Sequence, residues 1–385
     1  MTDSPASSEN LPLDIIKPPV FGSGAERPEE LPPVEPPSAG YIVQLFLIPA
    51  LIVMAVVGVW ALFGQLADSE TDWKQLTSEL GSSNEHRRWR AALGLAQVLR
   101  NQQIVPDDNG TPLAKQPEVA TALADLLRQS LASNSTLQDD IKHQEFLART
   151  MGSLDVDEVV LPVLADSLST DRTGDVRKSS LMSLAMIASR HLTEQAEALD
   201  TTVKKSLSDG GAIYMLQEPL TQPTISDEAV WKQVKLAAQD EDASIRHLAA
   251  FVTGLINGEE AMQVLTVMLL DGDSMARANA AVAFARSGRT DGVPVLTQLL
   301  QEGSVEMPEQ DFKLLSPEAQ KQALSFRQFE QPKLLGTCLH AIDMLWKEKL
   351  SEEQREALRP ILKRLGTDST AADIRLLANS VLNAE

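Results

Sequence analysis

The sequence predicts an all-α chain built from repeated helical hairpins, and three observations carry that reading. Aromatic residues make up only 4% of the 385 and tyrosine occurs twice, while alanine and leucine abound. That balance favours helices packed through small contacts over a β-sandwich or barrel. Apolar residues also recur at helical spacing: Ala261, Val264, Leu265, Met268 and Leu269 make one continuous stripe. Finally, a turn bearing aspartate, followed by arginine and an alanine-rich apolar run, returns several times along the chain.

Two segments precede the hairpins. Residues 1–40 hold runs such as EELPPVEPPSAG, with seven acidic and two basic side chains and no sustained apolar period. Such a segment buries too little surface to offset its chain entropy, so a disordered, partly polyproline tail is expected. Residues 41–63 contain 23 residues without a charge, flanked by Tyr41 and Trp60. As a helix this stretch reaches about 34 Å, which predicts a single transmembrane span. A linker at 64–71 would join it to a repeat domain over 72–385. The expected location is therefore a membrane, that of a bacterial cell, with the tail inside and the repeats outside, as for an N-terminal signal anchor. Basic flanking residues do not decide the orientation, since Arg27 before and Lys74 after cancel.

The best-formed hairpin lies at 261–286. Gly272 stops the first helix, Asp273 or Ser274 caps the second, and the second runs from about Met275 to Arg286. Asp271, Asp273 and Arg277 stand in the same frame as Asp240, Asp242 and Arg246, with Arg246 lying 31 residues before Arg277. Asp171 precedes Arg177 by the same six positions, Asp368 precedes Arg375 by seven, and Arg90 opens an alanine-rich helix near the start. A constellation that recurs this often is architecture and not one active site.

This pattern resembles the HEAT-repeat family, in the short-period variety first known from phycobilin lyases. The resemblance spans about 72–385 and is degenerate around 115–151, 192–224 and 302–347. It implies an α-solenoid of about six or seven hairpins, in which each repeat buries its apolar face on its neighbours. It also implies that the turn aspartates cap the second helix and that the arginines bridge to carboxylates or carbonyls of the neighbouring repeat. Lyase activity does not follow, because the repeat unit is shared with many non-catalytic proteins.

Charge and motifs exclude other classes. A net charge of −20 repels a phosphate backbone, so no nucleic-acid partner is expected. The single cysteine, Cys338, sits in an apolar helical pattern as a buried thiol. As a calcium loop, 271–282 would need a glycine at its sixth position and a glutamate at its twelfth, where Ala276 and Val282 stand. The five histidines form no ligand pair and read as helix-covering groups, and no nucleophile elbow or phosphate loop occurs. No catalytic, cofactor-binding or metal-ligating residue is expected, and no cofactor.

Function is expected on the interruptions of the repeat, which become loops on one face of a solenoid. The longest are 101–118, 209–228 and 301–332. The last two carry Tyr214, Phe312, Phe326 and Phe329 among polar neighbours, as aromatic anchors for a protein partner. The sequence therefore reads as a membrane-anchored, non-enzymatic scaffold or adaptor that meets a protein partner through its repeats and lipid through 41–63. A bilin lyase-like or other small-molecule-handling protein, and a structural subunit of a membrane complex, are the alternatives.

Overall fold

The computed structural model describes residues 40, 47, 50–51, 53–59, 73–104, 111–198, 204–208, 211–215, 222–305 and 308–384. The chain divides into two compact units, Met1–Glu70 and Thr71–Glu385. The described part of the first is helical and exposed. The expected membrane localisation is overturned there: among the described residues no helix is long and apolar enough to cross a membrane. The orientation and the lipid contact inferred from 41–63 fall with the span. The tail through 39, the linker 64–71 and the remainder of 41–63 lie outside the described residues.

The second unit is helical almost throughout. Its elements are α1 (Trp73–Leu80), α2 (Glu85–Ile104), α3 (Pro117–Ala132), α4 (Gln138–Met151), α5 (Asp157–Ser167) and α6 (Gly174–Ala198). They continue as α7 (Glu228–Ala237), α8 (Ala243–Ile256), α9 (Glu259–Met268), α10 (Ser274–Arg286) and α11 (Val293–Gly303). After the short helices α12 (Glu309–Leu314) and α13 (Pro317–Ser325) and a π-helical turn, Phe326–Glu330, come α14 (Gln331–Trp346), α15 (Glu352–Asp368) and α16 (Ala372–Leu382). The one departure from all-α among the described residues is an antiparallel hairpin, β1 (Lys204–Ser208) and β2 (Gly211–Met215), with Lys205 opposite Tyr214. It falls where the repeat is degenerate. The stretch around 115–151, by contrast, forms two regular helices, because Leu123, Leu127, Leu131, Leu147 and Met151 supply a buried stripe.

The helices pair as seven hairpins among the described residues, in two layers. The second helices stack in one row, α4 on α6, α6 on α8, α8 on α10, α10 on α14 and α14 on α16. In the first-helix layer α1, α3, α5 and α7 follow one another, and α11 meets α15. Two apolar cores result, one from Leu76 to Phe284 and the other from Ala278 to Val381. Helix α10 belongs to both: Ala276, Ala280, Ala283 and Phe284 face the first, and Ala278, Ala281, Val282 and Ala285 the second. A helix buried on opposite sides has no room for large side chains, which explains its alanines.

Candidate interaction cleft beside an arginine ladder

The repeated turn builds a ladder of charge-assisted hydrogen bonds. Asp242 and Asp273 cap α8 and α10, accepting from Ser244 N at 2.8 Å and Ala276 N at 2.9 Å. Four positions into each second helix the arginine reaches back over its own turn. Nη1 of Arg246 donates to Asp240 O and Glu241 O at 2.8 and 3.0 Å, and Nη1 of Arg277 donates to Asp271 O and Gly272 O at 2.8 and 3.1 Å. Arg375 does the same to Ser369 O and Thr370 O, at 2.6 and 3.2 Å.

The other edge of the guanidinium crosses to the next repeat. Arg246 grips Asp271 with both Nε and Nη2, at 2.8 and 3.0 Å, and Arg177 Nη2 meets Asp240 at 2.6 Å. Forked pairing of this kind is among the stronger protein hydrogen bonds. The resemblance implied a bridge to the neighbour, and the geometry divides it: carbonyls come from the arginine's own turn and the carboxylate from the following one. Asp271 is also held by Asp273 N at 2.7 Å, and Arg246 above all keeps its carboxyl below the usual range.

Not every turn residue joins the ladder. Asp171 is exposed beside Arg172, and its carboxyl is held low mainly by a hydrogen bond from Ser169. Asp368 ends α15 as an exposed side chain. At the start of the chain Arg90 is exposed, and it is Arg88 that reaches back to Ser82 O at 3.4 Å and across to Asp140 at 3.7 Å. For Arg277 no hydrogen bond to a following turn is seen among the described residues, and its Nε is buried without one.

Two other clusters resolve as structure. Asp155, Asp157 and His191 lie close enough to face one ion. Cations already occupy the place, since Arg190 and Lys115 pair with Asp155 at 3.2 and 3.3 Å. His191 stands between Asp157, at 3.1 Å, and Thr224 O, at 2.8 Å. With acceptors on both ring nitrogens its pKa is raised, chiefly by Asp157. The Cys338 thiol is buried, which pushes its pKa up to about 12, so no thiolate nucleophile forms there near neutrality.

A concavity opens beside the insertion at 301–332. It has a volume of 730 Å³ and is bounded by α11, α12, α13, α14 and the turn from α15 to α16. Leu299, Phe312, Leu324, Phe326, Leu335 and Ile374 make its apolar wall. Glu302, Arg327, Arg364 and Asp368 stand among the polar groups at its edge, and Ser274 of α10 borders it. Two of the four aromatic candidates, Phe312 and Phe326, are thus brought together, whereas Phe329 is exposed and outside the lining and Tyr214 lies on β2. None of the described residues of α12, α13 or the π-helical turn is fully buried. Sequence reasoning missed Leu299, Leu335 and Ile374 because each belongs to an ordinary helical stripe.

No curated relative matches the sequence. Similar solved structures include YibA of Escherichia coli, 14% identical over 85% of this chain and 97% of that one, with a TM-score of 0.32. A designed armadillo repeat protein is 15% identical over 68% and 98%, with a TM-score of 0.36. Human deoxyhypusine hydroxylase, solved with glycerol, is 16% identical over 83% and 97%, with a TM-score of 0.28. A family model described as HEAT repeats matches residues 232–310, which hold α8 to α11 whole and the Arg246–Asp271 rung. Paired helices and the repeated aspartate–arginine turn lie on those same residues, so the stretch 232–310 is what resembles HEAT repeats most directly.

Proposed function

We propose that the chain is a non-catalytic scaffold or adaptor and that it grips a segment of a protein partner in the cleft beside the 301–332 insertion. One observation carries the reading: the insertion, which contributes no buried residue among those described, helps to enclose a 730 Å³ concavity with an apolar wall. Concave apolar sites rimmed by a few polar groups are where proteins hold ligands. The π-helical turn that carries Phe326 is a rare conformation that occurs frequently at functional sites. Aromatic rings entering a partner's surface supply much of the binding energy of an interface. Partner-binding roles for Phe312 and Phe326 follow from this reading, and Phe329 and Tyr214 are assigned none within the cleft.

The test replaces Phe312 and Phe326 with serine together and compares capture of partners from source-cell extract with that by the unaltered chain. The expected result is loss of specifically captured proteins with circular dichroism and melting nearly unchanged. Capture that survives in a stable double variant overturns the cleft as the binding site. A large fall in melting temperature would show that the rings hold the fold instead.

A further inference from the structure

Arg286, in the last turn of α10, carries a charge to which no described residue supplies a counter-ion. Its guanidinium lies over the Phe251 ring of α8, 5.3 Å from the ring centre, and its Nε is buried without a hydrogen bond. Burial lowers its pKa to about 10, and no carboxylate opposes that shift. Arg246 shows the contrast, since Asp271 raises its pKa against the effect of burial. Arg177 and Arg190 also carry a buried nitrogen without a hydrogen bond, yet they sit 2.6 and 3.2 Å from aspartates, and Arg286 has no such neighbour. A stack on an aromatic face offsets only part of the cost of taking a charge out of water. The side chain is partly buried and not sealed in, so an anion can reach it.

Repeat register gives the stack its surroundings. Met182, Phe251 and Val282 each stand five residues after a ladder arginine, and Met186, Leu255 and Arg286 nine after, so α6, α8 and α10 turn corresponding positions to the same side. Met182 and Met186 are exposed, at 37% and 44%, and Phe251 is partly buried. Arg286 is the one charged group in these two rows. Asn279, two turns before it, reaches α8 as well, donating from Nδ2 to His247 O at 2.8 Å. Strand β2 also approaches α10. Arg286 is not part of the cleft lining.

We propose that this face of the second-helix row is a partner site separate from the cleft, where Arg286 takes a carboxylate of a protein segment and large apolar side chains beside that acid lie on Met182, Met186 and Phe251. Charge chooses the occupant. One guanidinium matches one carboxylate, two nitrogens to two oxygens, and the pair is neutral. A phosphate dianion would keep an excess charge, with no second cation in the rows to meet it. The apolar flanks follow from the methionines, whose flexible, polarizable side chains mould to varied apolar partners. The chain as a whole is strongly acidic, so the acid is selected locally, by the fork, and not by long-range attraction.

The experiment screens the full-length chain against two random peptide libraries on phage. One is fused through its C-terminus and presents side-chain carboxylates only; the other ends in a free C-terminus. Enriched peptides should share an acid beside large apolar residues, and the library that yields them tells a side-chain source from a terminal one. A synthetic member should bind about tenfold or more weakly once that carboxylate becomes the amide, the loss of one charge-assisted pair. Arg286→Met should abolish the discrimination and melt no lower than the unaltered chain, because the thioether keeps contact with Phe251 while an unpaired, desolvated charge is removed. Discrimination that survives Phe312→Ser places the acid away from the cleft, as proposed. A clear fall in the melting temperature of Arg286→Met would show that the guanidinium holds the fold, and overturns the proposal. A screen that enriches nothing, peptides lacking a shared acid, or an acid preference that persists in Arg286→Met overturns it as well. Peptides that are lost with Phe312→Ser but bind Arg286→Met unchanged occupy the cleft, in which case the proposed function stands and this inference falls.

Discussion

Arg246 shows how one side chain serves two repeats. Its removal leaves the Asp271 carboxylate and two turn carbonyls without their donor in a partly buried place, with side-chain exposures of 19% for the arginine and 11% for the aspartate. We expect Arg246→Ala to cost about 1.5 to 3 kcal/mol, the range of hydrogen bonds to charged groups, measured by denaturant unfolding. A loss within error of zero would show that water replaces the ladder freely. His191 gives a pH signature. Its pKa is raised in the folded chain, so its stabilising contribution is complete below the unfolded value of 6.5 and is lost as pH rises through the folded value. The difference in melting temperature between the unaltered chain and His191→Gln should therefore shrink as pH rises above 6.5. Taking the difference matters because burial lowers the pKa of His143, His247 and His340, whose contributions run the other way. A constant difference from pH 6 to pH 9 would remove His191 as a titrating link. At this scale the sequence spoke clearly where the frame is strict: Asp271, Asp273 and Arg277 repeat Asp240, Asp242 and Arg246 position for position. It misled at Arg90, because three arginines crowd 87–90 and only the backbone turn selects Arg88.

Helix α10 explains why whole elements could be read from composition while their crossings could not. Alanine at helical spacing announces a helix that neighbours approach from both sides. Which neighbour comes close depends on single small residues. Gly254 of α8 is such a point: a Cβ placed there would lie 2.5 Å from Ala283 Cβ. We expect Gly254→Val to destabilise by about 1 to 3 kcal/mol despite replacing glycine within a helix, since overpacking outweighs the better propensity. Ala283→Gly in the same chain should recover part of the loss. Failure of that rescue in thermal melts would mean the strain lies elsewhere. Elements were least legible where the period breaks. Helix α6 runs unbroken for 25 residues, Gly174–Ala198, so that its last turns enter the stretch from 192 expected to be irregular, and the β1–β2 hairpin has no alternating pattern strong enough to announce it. The cleft was legible only in part, for Phe312 and Phe326 stand out in an insertion while its other wall is assembled from Ser274 through Ile374.

Across the repeat unit, stability should follow the stacking. A solenoid gains its cohesion from nearest-neighbour interfaces, so a weakened hairpin releases its neighbours only as far as the next strong interface. Here the two apolar cores share α10 and little else. Leu362 is fully buried in the second core, beside a helix row that includes Trp346 and Leu339. Leu362→Ala should cost about 2 to 5 kcal/mol through the lost side chain and the cavity left behind. Hydrogen exchange followed by mass spectrometry should then show faster exchange in α11, α14, α15 and α16, with α4, α6 and α8 protected as before. Helix α10 is the expected border, because its Ala276, Ala280, Ala283 and Phe284 remain clamped on the first core when the opposite face loosens. Exchange that rises evenly from α4 to α16 would mean the two cores unfold as one unit and that α10 transmits strain where this architecture has it end. The cleft lies on the second-core side of the same border, with Leu299, Leu334, Leu335, Leu365 and Ile374 of that core in its lining and Ser274 of α10 at its margin.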